Sequence, residues 1–317
     1  MRHMTWVWIL FFQGVSASAQ TYPLRPVHLV TAEPGGTNDF AARIIAQGLS
    51  TAFGQQVIVE NRGGAGGAIA AQSVARAAPD GYTIMLYGPA IWLLPYLRTS
   101  VPWDPIKDFA PITLAVMAPN IIAVHPALPV RGVLDLLKLA RARPGELNDA
   151  SAGIGTSTHI AAEIFKVMTG VSIVRVPYKG SGPALNALIG GQVQLMFAAA
   201  AAVAPHIRAG RVRALAVTSA QPSPLAPGLP TVAASGVPGY EAVQMSGVLA
   251  PARTPDAILN RLNQEIVRIL QRPEIKEKFF NAGVETVGGT AEHFSQTMRS
   301  EMNRLGKLIR EAGIRDD

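Results

Sequence analysis

The stretch Val27-His28-Leu29-Val30-Thr31-Ala32-Glu33-Pro34-Gly35-Gly36-Thr37-Asn38-Asp39 decides the fold. Its first five residues form a short, β-branched apolar run of the kind that makes a buried strand. Pro34-Gly35-Gly36 then breaks the chain, and Thr37, Asn38 and Asp39 carry helix N-cap chemistry. Beyond them Phe40, Ile44 and Gly48 fall on one helical line, with Ala41, Ile45 and Leu49 on the next. Strand, glycine turn, hydroxyl-rich cap and helix together make the opening unit of a parallel α/β sheet.

Strands alternating with helices continue outward from there, and the glycine-turned, hydroxyl-capped unit itself returns once, at 148–169. Gln56–Glu60 predicts a second strand, followed by Gly63-Gly64-Ala65-Gly66-Gly67 and an alanine-rich helix. Pro79-Asp80-Gly81 turns the chain into a third strand over Tyr82–Tyr87. A second series opens with a strand at Ile121–His125 and a helix over Arg131–Ala142. A short strand at Asn148–Ala152 then breaks at Gly153-Ile154-Gly155. Thr156, Ser157 and Thr158 cap the next helix, whose buried line is expected to be Ile160, Ile164 and Val167. Strands are expected at Val171–Val176, Val193–Phe197 and Val212–Val217, with helices between them. The C-terminal quarter reads as helical. One helix starts at Thr254-Pro255-Asp256 and buries Ile258, Leu262, Ile266 and Ile269. Thr290 opens the last, with Phe294, Met298, Met302, Leu305 and Ile309 inward as core, and these helices are expected to complete the first lobe.

Composition bounds what such a chain can do. Its 317 residues are enough for two domains. With 15% charged and 49% apolar residues, intrinsic disorder is excluded. Cysteine is absent, which excludes disulfides, a thiol nucleophile, iron–sulfur clusters and thiolate zinc sites. The formal charge of +7 comes from scattered basic residues without interleaved aromatics, so nucleic acid is not an expected partner. Met1–Ala19 reads as a secretory signal. Arg2 precedes the apolar core Trp6–Phe12, and Ala17-Ser18-Ala19 forms the cleavage site, so a periplasmic location is expected.

Enzyme signatures fail. The chain contains no G-x-S-x-G, H-E-x-x-H or P-loop sequence. Gly64-Ala65-Gly66 follows a strand, but the third glycine of a dinucleotide fingerprint would fall on Ile69. No two of the six histidines share metal-ligand spacing, so neither a metal nor a cofactor is expected. The two glycine turns carry more chemistry. A helix N-terminus offers unpaired N–H groups and the positive end of the helix dipole, and glycines before it admit a ligand to the backbone. Either these are ordinary βα turns, or both aim at a shared cleft and grip a carboxylate or phosphate.

A series of motifs in fixed order then carries a family resemblance. They are Val30–Arg43, Val59–Gly67, Pro79–Thr83, Pro102–Ile112, Ser151–His159, Val176–Gly180, Gly191–Phe197 and Arg213–Ser219, completed by Pro230-Thr231-Val232 and Leu249-Ala250-Pro251. The chain resembles, over nearly its whole mature length, the Bug family of extracytoplasmic solute receptors of tripartite tricarboxylate transporters. The resemblance implies an α/β type II periplasmic-binding fold: two lobes with mostly parallel sheets, joined by two hinge crossings. It implies a non-enzymatic receptor, expected as a monomer, that captures a small carboxylate and delivers it to membrane transporter subunits. The expected division is residues 20–123 plus 245–317 for lobe 1 and 124–244 for lobe 2.

On matching positions the ligand is expected at Gly35, Gly36, Thr37 and Asp39 in lobe 1, and at Gly155, Thr156, Ser157 and His159 in lobe 2. Asp39 suits a first helical turn, whereas a cation at His159 does not, so a neutral imidazole facing the cleft is the expectation. Three stretches depart from the family: Thr31-Ala32-Glu33, Tyr87-Gly88-Pro89-Ala90, and Ala198–Ala202 after Phe197. The latter two put apolar groups where relatives have polar ones, which brings Tyr87, Gly88 and Ala198 into the expected site. An apolar wall penalises unpaired polar substituents, so the expected ligand is a carboxylate with an apolar or aromatic body. Glu33, if inward, would repel an anion or pair an amine. The alternatives are a ligand sensor for a sensor kinase, and a secreted hydrolase using Ser157 beside His159. The latter two sit at i and i+2, pointing apart on a helix.

Overall fold

The computed structural model describes residues 22–32, 34–151, 156–311, 313 and 315. The expected signal segment, Glu33 and Gly155 lie outside the described residues. In the first lobe β1 (Val27–Thr31) leads through Pro34-Gly35-Gly36 into α1 (Thr37–Phe53), and β2 (Val57–Asn61) and α2 (Ala68–Ala75) follow. Next come β3 (Thr83–Tyr87) and α3 (Ala90–Leu97). β2 and β3 pair in parallel on either side of β1. On α1 the expected line is buried: Ala41, Ile45 and Leu49 have no exposure. A Cβ at Gly48 would meet Ile269 of α8 (Asp256–Gln271) at 2.7 Å, so the missing side chain lets these two helices touch.

The chain then runs into β4 (Phe109–Val124), a 16-residue strand. Only Ile121 onward is expected as strand from the sequence, because Pro111 and Pro119 argue against a central position. The structure accommodates them with irregular pairing. The register against β9 (Val243–Pro251) shifts between Pro111 and Thr113 and again between Leu114 and Val116. β9 is not expected either. Gln244, Ser246 and Gly247 interrupt its apolar run, yet Gly247 packs against the ring of Phe294, where a side chain has no room.

β4 joins the two lobes. Its first half pairs antiparallel with β9 on one side and with β10 (Glu285–Thr286) on the other. From Asn120 onward it pairs antiparallel with β7 (Leu195–Ala199) and β8 (Arg213–Val217). In the second lobe β5 (Asn148–Ser151) is parallel to β7 and to β6 (Val174–Pro177). The wound strands of each lobe are therefore parallel; of the two crossing strands, β9 runs against those of the first lobe and β4 against those of the second. The result is one curled sheet in two lobes.

Helices α4 (Val133–Ala142), α5 (Ser157–Thr169), α6 (Ser181–Ile189) and α7 (Ala200–Arg208) clothe the second lobe. α5 buries Ile164 and Phe165 in the core, but Val167 is 40% exposed, so it does not belong to the buried line as expected. α9 (Pro273–Asn281) follows α8; the sequence hides it because Pro273 looks like a breaker, whereas it sits at the helix start and needs no N–H there. The last helix, α10 (Ala291–Glu311), buries Phe294, Met298, Leu305 and Ile309. Phe294 meets Trp92 of α3 edge to face, with ring centroids 5.9 Å apart. Among the described residues no helix is long and apolar enough to cross a membrane.

Candidate functional site

A cleft of about 470 Å³ lies between the lobes, where the N-termini of α1 and α5 come to one space. From lobe 1 it is lined by Gly36, Thr37 and Asn38. Gly36 is the N-cap of α1 and supplies no side-chain cap, so the first-turn amides are left for a guest. Asn38 is fixed by Ser246 of β9, whose hydroxyl donates to Asn38 Oδ1 at 2.5 Å. That commits the amide oxygen and leaves Nδ2 with hydrogens to give. From lobe 2 come Thr156, Ser157 and Thr158. Thr156 Oγ1 accepts the His159 N–H at 3.3 Å and lies 3.0 Å from Thr158 Oγ1, which holds the hydroxyl group of residues together at the helix start.

Tyr87 and Gly88 line the cleft at the end of β3. A Cβ at Gly88 would sit 2.8 Å from the Met245 carbonyl oxygen, so glycine is what allows β3 to end against β9 here. The glycine-rich segment after β2, unsuited to a dinucleotide, serves the architecture instead. Gly66 lines the cleft, and Gly67 leaves room for the Tyr87 ring.

Four expected positions stand elsewhere: Gly35, Asp39, Ala198 and His159. Gly35 donates its N–H to Asp39 Oδ2 at 3.0 Å and does not line the cleft. Asp39 is 5% exposed and is held by Arg43 and by Asn61, whose Nδ2 reaches Oδ1 at 2.8 Å. Burial alone would raise its carboxyl, but the Arg43, Gly35 and Asn61 hydrogen bonds outweigh it and hold the pKa at about 2. Asp39 is thus a brace for the first-lobe turn. Ala198 has no exposure, and its neighbour Ala199 reaches the cleft instead.

His159 is 3% exposed, does not line the cleft, and has Nε2 3.7 Å from Glu163. Burial, with help from Arg175, pushes its pKa down to about 4, which favours a neutral ring, and the ring sits beside Glu163 rather than in the cleft lining. Beneath it lies a buried cluster that the sequence gives no sign of. Asp149 of β5 is 2% exposed, and its Oδ1 has no hydrogen-bond partner. Burial raises its pKa to about 8 against the opposing effect of Lys166. In this structure Ser157 is at the cleft while the His159 ring is with Glu163, an arrangement unsuited to a nucleophile and its base.

Several cleft residues escape the sequence reading. Leu93 and Leu94 of α3, Ala242 and Val243 at the second crossing, and Leu305 of α10 give the cavity its apolar wall. Glu301 of α10 is there too. A signal existed for it: Phe294, Met298, Glu301 and Leu305 follow the three- and four-residue steps of one helical stripe, and a carboxylate there is out of keeping. Among the described residues no group of His, Asp and Glu could hold a metal ion.

Comparison with known proteins agrees with this architecture. The family model described as "Tripartite tricarboxylate transporter family receptor" matches residues 41–314. The chain is 36% identical to the protein BugT of Bordetella pertussis, over 95% of this chain and 94% of that one. Among solved structures it is similar to the R. palustris protein Rpa4515 with adipate, at 39% identity and a TM-score of 0.80, covering 92% of this chain and 98% of that one. It is also similar to MatC from Rhodopseudomonas palustris with bound malate, at 28% identity and a TM-score of 0.77, covering 91% and 100%.

Proposed function

The chain belongs to the family of tripartite tricarboxylate transporter receptors, the Bug solute-binding proteins, and from that premise we propose that it captures a small carboxylate with an apolar or aromatic body in the interlobe cleft and delivers it to membrane transporter subunits. The observation that carries the reading is two helix N-termini from opposite lobes lining one cavity with an apolar wall. Helix ends suit an anion and hydroxyls suit its oxygens, while Leu93, Leu94 and Leu305 suit a hydrocarbon body. The similar structures that hold adipate and malate support a carboxylate as guest.

Energetics point the same way. Micromolar affinity needs about −8 kcal/mol. Two helix termini at up to about 2 kcal/mol each supply half of that. Burying about 100–150 Å² of apolar ligand at about 25 cal/mol/Å² supplies much of the rest.

The test is a thermal-shift screen of residues 20–317 against aliphatic and aromatic acids. An acid at 100 times its Kd adds about 2.7 kcal/mol of stability and raises Tm visibly. The Gly36→Val variant supplies the control, since a Cβ there meets nothing within 4 Å and φ is −89°. It should keep the unliganded Tm and lose the ligand-induced rise. No shift with any acid in a ligand-stripped sample would sink the reading.

A further inference from the structure

We infer that Glu301 sets the far end of the ligand, so that the cleft selects a monocarboxylate whose distal end carries a neutral hydrogen-bond donor such as a hydroxyl, and rejects dicarboxylates. This rests on the cleft being a carboxylate site. Glu301 is the one acidic side chain among the described lining residues; no Lys, Arg or His is among them. It is 7% exposed. Its Oε1 accepts from Arg304 Nη2 at 2.5 Å, and Arg304 is itself tied by Nη1 to the Glu241 carbonyl oxygen at 2.7 Å. Oε2 accepts no hydrogen bond among the described residues, and it is not sealed in the interior.

Three kinds of distal group can be weighed against that geometry. A second carboxylate would leave water for a site that offers it no countercharge, since Arg304 is already engaged by Glu301 and no Lys, Arg or His is among the described lining residues. An ammonium would meet a carboxylate already neutralised by Arg304, and would bear its own desolvation cost. A hydroxyl gives Oε2 the donor it lacks and brings no charge into the cleft. Burial pushes the Glu301 carboxyl above its usual range, as expected for an acid short of donors. Leu305, one turn further along α10, and Leu93 and Leu94 surround the approach with hydrocarbon.

The experiment compares two matched series by calorimetry at pH 7.5: hexanoate, 6-hydroxyhexanoate and adipate, then benzoate, 4-hydroxybenzoate and terephthalate. In at least one series the hydroxy acid should bind about tenfold tighter than the plain acid, the difference one hydrogen bond to a charged acceptor makes, and the dicarboxylate should bind about tenfold weaker. Glu301→Gln keeps an oxygen for Arg304 and removes the charge, so it should bring the dicarboxylate to within about threefold of the plain acid. Glu301→Leu should abolish the hydroxyl preference. The unliganded Tm of each variant shows that it is folded. If plain acids bind but the hydroxy and dicarboxylic acids are not separated, or if Glu301→Gln leaves the separation unchanged, this inference is overturned and the carboxylate reading stands. If no acid of either series binds, both fall.

Discussion

Asp39 and Asp149 are the same side chain driven in opposite directions. Asp39 gains three donors at a turn and is held at about 2, whereas Asp149 enters the interior of lobe 2 with one oxygen unpartnered and is driven to about 8. The folded state therefore favours protonated Asp149. The stability that this contributes is full below the unfolded value near pH 4 and is lost as pH rises toward about 8. Asp149→Asn removes that loss and keeps an oxygen to accept the Phe197 N–H. Its stability relative to the parent should be level below about pH 4 and climb by up to about 1.4 kcal/mol per pH unit above it. Parallel unfolding curves from pH 5 to pH 8 would show that Asp149 does not titrate in this window. At this scale the sequence is legible only in part. Gly36, Thr37 and Ser157 line the cleft because cap chemistry is local and visible in sequence. Glu301 shows in sequence only as a carboxylate out of keeping with its apolar stripe; its place in the cavity does not show, because it depends on α10 folding back long after the two turns that share the cavity.

Among the elements, β4 and β9 show what sequence periodicity cannot see. Both are hidden by residues that break a pattern, and both are central because pairing on two sides compensates for the breaks. At the changeover the ladder yields to a side chain: the Asn120 N–H donates to Thr218 Oγ1 at 2.8 Å, and that hydroxyl returns a bond to the Asn120 carbonyl at 3.1 Å. The Ala242 N–H reaches the Thr218 carbonyl at 2.9 Å, so this residue fastens both crossings. Thr218→Val preserves shape but strands a buried N–H, and should cost about 1–3 kcal/mol in urea unfolding. Thr218→Ser should restore most of it. A valine variant as stable as the parent would mean that the hydroxyl adds nothing at this junction. The wound strands and their helices, by contrast, are legible from the outset, since each unit carries its own breaker, cap and apolar line.

For the molecule as a whole, two lobes sharing a cleft and joined by two crossings predict closure on a ligand. Residues 20–317 should have a radius of gyration of about 19 Å when compact. A saturating acid should reduce the value measured by X-ray scattering; an unchanged value would mean capture without closure. The overall two-lobed plan is legible because a strand that breaks at glycines into a hydroxyl-capped helix occurs once in each half, at Val27–Ser50 and at Asn148–Thr169, while the sharing of one strand between both halves is not. That sharing has a consequence for how such receptors diversify. Pro119 and Val243, where the chain leaves the first lobe and where it returns, are register partners on adjacent strands. The second lobe is thus a cassette with its two seams side by side, and a counterpart of another shape can be spliced in at one spot without rethreading the host.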